Sequence, residues 1–182
     1  AMTDFVSAGP LASRVTDARI MLGVRADRDF ERRPVPGALK VAYCPRPEGR
    51  AVDPGVAAAV EQAAQALSSL GHVVTPTDLP LQGWEEVFGP LVLEDEHRER
   101  GHLLEHFADD LTRYERSSLR AALRLQPADV QRAHDALPEY RQRINQLFDQ
   151  YDILLTPATA VTAFPLGQRP TQVDGRDVDP LW

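Results

Sequence analysis

The stretch that decides the fold is residues 39–76, LKVAYCPRPEGRAVDPGVAAAVEQAAQALSSLGHVVTP. It opens on Leu39-Lys40-Val41-Ala42-Tyr43-Cys44, a short run with strand character that Pro45 and Pro47 end. A loop over 45–52 follows. Asp53 is an N-cap residue and Pro54 occupies the first helical position, where a missing N–H costs nothing. Val56, Val60, Ala63, Leu67 and Leu70 then recur at helical steps, and Gly71 closes the helix. His72-Val73-Val74 starts a second strand that runs into Pro76. Two strands joined through one helix by short connections predict a right-handed parallel crossover.

Upstream, Leu11, Val15, Ala18 and Leu22 follow Gly9-Pro10 at helical spacing, with Gly23 stopping the pattern. Residues 24–37 are charged and contain Pro34, Pro36 and Gly37, which reads as a surface connection. Downstream, residues 78–90 read as another connection. Leu93, His97, Leu104, Phe107, Leu111 and Tyr114 predict a long helix from Leu91 to about Tyr114, weakened at Gly101. Val130, Ala133, Leu137, Tyr140, Ile144 and Leu147 predict a helix over 127–149 that Pro138 kinks or splits. Asp152-Ile153-Leu154-Leu155-Thr156 is a fully apolar strand of the kind found in covered sheets, stopped by Pro157. The tail from Ala158 reads as loop.

The expected class is α/β: three short strands (39–44, 72–76 and 152–156) in a partial sheet covered by about five helices. Residues 1–182 are expected to form a single partial domain. Within it, 3–38 are helix and linker, 39–80 the strand-helix-strand unit, and 81–182 a helical region with one strand and a tail. Proline ends every strand and loop residues follow, at the carboxyl edge where open α/β sheets bind ligands.

Composition narrows the function classes. The 20 basic and 27 acidic residues leave a net charge of −7, which argues against wholesale nucleic-acid binding. Cys44 is the only cysteine, so no internal disulfide forms, as suits a reducing compartment. No apolar run is long enough to cross a bilayer and no charged-then-apolar leader opens the chain, so a cytoplasmic location is expected. Ala1 ahead of Met2 reads as the remnant of a removed tag.

Several residue groups invite chemistry and resist it. His97, His102 and His106 fall on one predicted helix near Glu94, Glu96 and Glu105. The order His-Leu-Leu-Glu-His places the glutamate wrongly for a zincin site, so a solvated helix face is the better reading. Arg113, Arg116, Arg120 and Arg124 would form one stripe able to grip a phosphate or an acidic partner if the helix continues through Ser117-Ser118. Asp109, Asp110 and Glu115 lie alongside, and ion pairing on a solvated face is the expectation. Cys44 lacks the neighbouring base or cation that activates a thiol and reads as a small buried residue. Ser68-Ser69 and Ser117-Ser118 lack flanking glycines and a strained turn. The glycines are scattered, and none builds a phosphate-cradling loop.

Three stretches, taken in order, carry a resemblance. Gly9-Pro10-Leu11-Ala12-Ser13-Arg14-Val15-Thr16-Asp17-Ala18 resembles the Gly-Pro-Met-Ala-Arg-Thr-Val-Ala-Asp-Ala segment of amidase-signature enzymes, with the arginine displaced by one place. The unit from Leu39 to Asp78-Leu79-Pro80 looks like that family's next strand-helix-strand. Tyr151-Asp152-Ile153-Leu154-Leu155-Thr156-Pro157-Ala158-Thr159 is similar to its Tyr-Asp-Val-Leu-Leu-Thr-Pro-Thr-Thr segment.

The resemblance implies an amide hydrolase that attacks with a serine, moves its proton through a second serine and a lysine, and holds the oxyanion on a Gly/Ser-rich loop. Those groups precede the Gly-Pro stretch in the family. No Gly-Gly-Ser-Ser-Gly-Gly occurs in this sequence, and its only lysine, Lys40, begins a non-catalytic strand. No catalytic residue carries over, and the chain is expected to be an inactive piece, the third quarter of a larger domain. The resemblance makes Thr156, Pro157 and Ala158 candidate pocket residues, with Trp84, Phe88 and Leu91 as further ones. It implies no metal or cofactor, and a small-molecule amide as the parent enzyme's substrate. No nucleic-acid or membrane partner is expected, and an open sheet edge predicts self-association. The competing reading is a non-catalytic binding or assembly module.

Overall fold

A computed structural model describes residues 5, 7–30 and 37–178. Ala1 and Met2, Pro34 and Pro36 of the first connection, and the end of the tail lie outside the described residues. The fold is α/β, and the chain divides into two compact units: 1–34 with 85–137, and 35–84 with 138–182.

The second unit holds the sheet. β1 (Lys40–Tyr43) lies between β2 (Val73–Pro76) and β3 (Ile153–Leu155), parallel to both. Val41 faces Val74 on one side and Ile153 on the other. Burial follows position. Val41 and Ala42 of the central strand are 0% and 1% exposed, whereas Val73 on an outer strand is 56% exposed. β3, for all its apolar sequence, is half-buried because one of its edges has no strand partner among the described residues.

α2 (Pro54–Ser69) connects β1 to β2, and both its ends are specified by sequence. Asp53 Oδ1 accepts from the Gly55 and Val56 amides at 2.9 and 3.2 Å. At the far end, the His72 amide donates to Leu67 O and the Gly71 amide to Ser68 O. This Schellman pair requires the left-handed φ of +89° that Gly71 supplies. The buried side of α2 runs through Val56, Val60, Ala64 and Leu67. Leu70, expected on that side, is 74% exposed, because it is the cap residue where the chain has already left helical geometry. Cys44, Ala51, Val52, Leu79 and Val173 complete this unit's core.

The tail departs from the loop expectation. β4 (Gln172–Val173) and β5 (Arg176–Asp177) form a hairpin turned by Asp174-Gly175. Both turn residues have positive φ, +50° and +72°, as a two-residue turn demands.

The first unit is helical. α1 (Val15–Ala26) runs through Gly23 and ends at Asp27 in left-handed geometry. Leu11 and Val15, expected on a core face, are 96% and 87% exposed. The long helix predicted over 91–114 is three pieces: α3 (Trp84–Arg100), α4 (Leu103–His106) and α5 (Arg113–Ala122). α3 starts seven residues earlier than expected and contains Pro90. It stops at Gly101, where a Cβ would come within 2.5 Å of His97 O. α5 restarts with a capping box: the Thr112 hydroxyl accepts from the Glu115 amide, and the Glu115 carboxylate accepts from the Thr112 amide. α6 (Pro127–Leu147) is one helix despite Pro138, and the boundary between the units falls between Leu137 and Pro138. Val87 and Leu91 of α3, Leu119 and Ala122 of α5, and Ala133 and Leu137 of α6 are the buried residues of this unit.

Candidate active-site edge of the sheet

The carboxyl ends of the three strands lie side by side. The Cys44 amide donates to Leu155 O at 2.9 Å and the Thr77 amide to Tyr43 O at 2.9 Å, so the ladder stays closed to its last residue. The loops beyond are tied to each other. The Asp53 amide donates to Ala160 O at 2.8 Å, joining the segment after β1 to the segment after β3.

Thr156 is the first residue past β3 on this edge. Its Oγ1 is buried and has no hydrogen-bond partner among the described residues. A buried hydroxyl without a partner carries a desolvation cost of about 1–3 kcal/mol. Pro157 is half-buried and Ala158 exposed beside it. Pro157 supplies no N–H, so the amide donors of this turn are those of Thr156 and Ala158.

Charged and aromatic groups of the same unit gather on the loops of this edge. The Arg50 guanidinium lies 5.1 Å from the centre of the half-buried Trp84 ring and pairs with Glu48 at 3.0 Å. Glu48 has a φ of +54°, uncommon for a residue with a side chain. Arg143 donates to Gln82 O at 2.6 Å in the loop after β2, and stands 5.4 Å from the Tyr140 ring. The tail hairpin closes on the loop after β1: Arg46 pairs with Asp174 at 3.4 Å and Arg176 donates to Gly49 O at 2.9 Å. Burial pushes the Tyr140 phenol up from its ordinary value. Sequence reasoning missed these arginines. The available signal was that loops at the carboxyl edge of an open sheet carry ligand contacts, which singles out 44–53 as readily as 156–158.

Cys44 stands at this edge but is 2% exposed. Burial pushes its thiol up, against the lowering by backbone hydrogen bonds at Leu79 and Arg46. That is the reverse of what an attacking thiolate requires.

The remaining pocket candidates belong to the helical unit. Leu91 is 5% exposed and sits among core residues. Phe88 is more open, with its ring edge-on to Phe5 at 5.3 Å. The large groove beside α3, about 810 Å³, is lined by Glu86, Gly89, Pro90, Leu93 and residues of α6, not by Phe88 or Leu91. Nor do His97, His102 and His106 share one helix: the break at Gly101 separates the first from the others. Glu94 instead meets His134 Nε2 at 2.8 Å. No cluster of three metal-ligating side chains occurs among the described residues, and no described helix is long and apolar enough to cross a membrane.

Comparison with known proteins gives this arrangement a family. The Amidase family model matches residues 1–179. An indoleacetamide hydrolase of Bradyrhizobium japonicum is 44% identical over a stretch covering 40% of this chain and 18% of its own length. A solved amidase structure superposes with a TM-score of 0.78 at 26% identity, over 92% of this chain and 38% of that one. A 6-aminohexanoate cyclic dimer hydrolase, solved with substrate, shares the fold at a TM-score of 0.63 and 22% identity, over 96% of this chain and 37% of its own. The chain thus spans under a fifth of the curated relative's length and under two fifths of either solved structure. The strand-helix-strand unit, the Thr-Pro strand end and a family match running through both units place this chain in the amidase-signature family.

Proposed function

We propose that this chain forms a substrate-lining part of an amidase fold and does not itself supply the attacking group. The observation that carries the reading is the buried, unpartnered Thr156 hydroxyl at the carboxyl edge of the sheet. A carboxylic amide offers both a donor and an acceptor to such a hydroxyl. The similarity to indoleacetamide hydrolases favours an arylalkyl amide, and Trp84 with its Arg50 neighbour offers an aromatic surface at the same edge. Thr156, Pro157 and Ala158 are the first-choice contacts, with Trp84, Phe88 and Leu91 as further candidates.

The lack of attack chemistry rests on the sequence. No serine stands in a glycine-rich turn, and Lys40 begins the central strand, where its amide and carbonyl are held by Asp152. No metal or organic cofactor enters this reading. Because the family match runs through both units, we treat residues 1–182 as one partial domain. Both outer edges of the β2-β1-β3 sheet lack strand partners among the described residues, which supports self-association through an edge. A lone, buried cysteine fits a cytoplasmic setting.

The test is direct. The 182-residue chain should release ammonia from indole-3-acetamide no faster than buffer, and a serine-directed fluorophosphonate should leave it unlabelled. Labelling at one serine, with turnover lost when that serine is replaced, overturns the reading.

A further inference from the structure

Helix α5 carries a row of guanidinium groups on one side and its buried residues on the other. Arg113, Arg116, Arg120 and Arg124 line one open hollow of about 480 Å³. The small residues Ser117 and Ala121 line it with them. Leu119 and Ala122 point the opposite way, 1% and 6% exposed. The row is built, not incidental. The Arg116 Nη2 donates to Leu111 O at 3.0 Å, which ties this guanidinium to the turn before the helix.

The ion pairing expected from the sequence does not neutralise this row. Glu115 is taken by Arg100 and by its own capping box. Arg113, Arg120 and Arg124 are exposed, and their guanidinium groups make no ion pair or hydrogen bond among the described residues. Asp109 and Asp110 are exposed and likewise take no ion pair there. Like charges at helical neighbour positions repel. A protein of net charge −7 nonetheless keeps four cations in line.

Length and spacing indicate the occupant. The eleven steps from Arg113 to Arg124, through α5 and the turn after it, at about 1.5 Å each give a row of roughly 16 Å. That is the span of about five residues of extended chain, whose same-side side chains stand roughly 7 Å apart. Neighbouring arginines on the helix are separated by about 5–6 Å, within reach of such a ladder, and the exposed guanidinium groups of Arg113, Arg120 and Arg124 can each take a carboxylate through two hydrogen bonds. A second copy would set two rows of guanidinium groups face to face. A long nucleic acid would meet the net negative charge of the rest of the protein. We propose that α5 docks an extended, carboxylate-rich segment of a partner protein.

The experiment uses the full chain and a fluorescein-labelled octapeptide of alternating Glu and Ser, read by fluorescence anisotropy. Saturable binding is expected at about 50 mM salt, weakening by tenfold or so at about 300 mM. Replacing the unpaired arginines together (R113Q/R120Q/R124Q) should weaken binding about tenfold or more, with the helical circular dichroism unchanged. The charge-matched R14Q/R25Q/R28Q variant should bind within about twofold of the parent. Should the triple variant lose helical signal, Arg120→Gln alone should weaken binding roughly threefold. Three results overturn the proposal: no saturable binding at low salt, equal loss in both triple variants, or tighter binding of a single-stranded DNA of equal charge than of the peptide.

Discussion

Asp152 and Lys40 hold each other twice across the sheet. The Asp152 amide donates to Lys40 O at 2.8 Å, and the Lys40 amide donates to Asp152 Oδ2 at 2.8 Å. One residue thus caps the amino edge of β1 and sets its register with β3. Asp152→Ala should lower unfolding free energy by about 1 kcal/mol, at the low end for a charge-assisted bond because the site is exposed. Asp152→Asn, which keeps the acceptor, should recover most of it. Urea midpoints of the two variants check this, and equal midpoints would remove the carboxylate from the account.

The Thr156 hydroxyl can be tested apart from any ligand. Thr156→Val keeps the shape and deletes the unpartnered oxygen. The variant should match or exceed the parent in stability, by up to about 1 kcal/mol, since a buried group without a partner is being removed. A clear drop in thermal midpoint would mean that the hydroxyl is satisfied in solution.

Glu115 predicts a pH dependence. The Thr112 hydroxyl first, and then Arg100, hold its carboxyl below the ordinary value. A carboxylate depressed in the folded state stabilises at pH above its unfolded value, near 4.3, and loses that contribution as pH falls through the folded value. The acid limb of a pH–stability curve should therefore flatten in Glu115→Gln, while stability at pH 8 falls. An unchanged acid limb counts against the capping box.

Cys44 should resist modification. It is 2% exposed and its thiol is pushed up by burial. Dithionitrobenzoate should react slowly in native buffer and rapidly in about 6 M guanidinium, following unfolding rather than pH. Fast native labelling would place Cys44 at an accessible edge.

Leu119 and Leu70 form a matched pair. Leu119 is 1% exposed at the centre of the helical unit, and Leu70 is 74% exposed at a helix end. Leu119→Ala should cost about 3 kcal/mol or more, and Leu70→Ala less than about 0.5 kcal/mol. Guanidinium titration of both separates burial from residue type.

The parts of the fold that were legible in the sequence are those whose ends are written locally. Asp53-Pro54 and Gly71 bracket α2 as read, because cap chemistry depends on neighbours in the chain. The strands stop within a residue or so of the expected prolines. Over 84–122 the helical spacing runs on across Gly101, although the helix itself breaks there. The Thr112-Arg113-Tyr114-Glu115 signature of a fresh helix start lies inside that run, and it outweighs the spacing. Asp174-Gly175, the strongest short hairpin signal, turns β4 into β5 within a tail whose proline content suggests loop. Of the site, the Thr156 strand end was legible by likeness to a family. The exposure of Leu11 and the unneutralised arginines were not, since both depend on which groups meet in three dimensions.

The sheet has a consequence for how the polypeptide acquires its shape. β2 follows β1 closely, through a short turn and α2, whereas β3 comes more than a hundred residues after β1, with 85–137 belonging to a separate unit in between. Closing a long loop costs entropy before any contact repays it. On a ribosome, β1 and β2 can zip together while β3 is still unmade. The central strand must then keep its other flank free through the synthesis of an entire helical insert, and that waiting period is when a neighbouring nascent chain has its best chance to intrude.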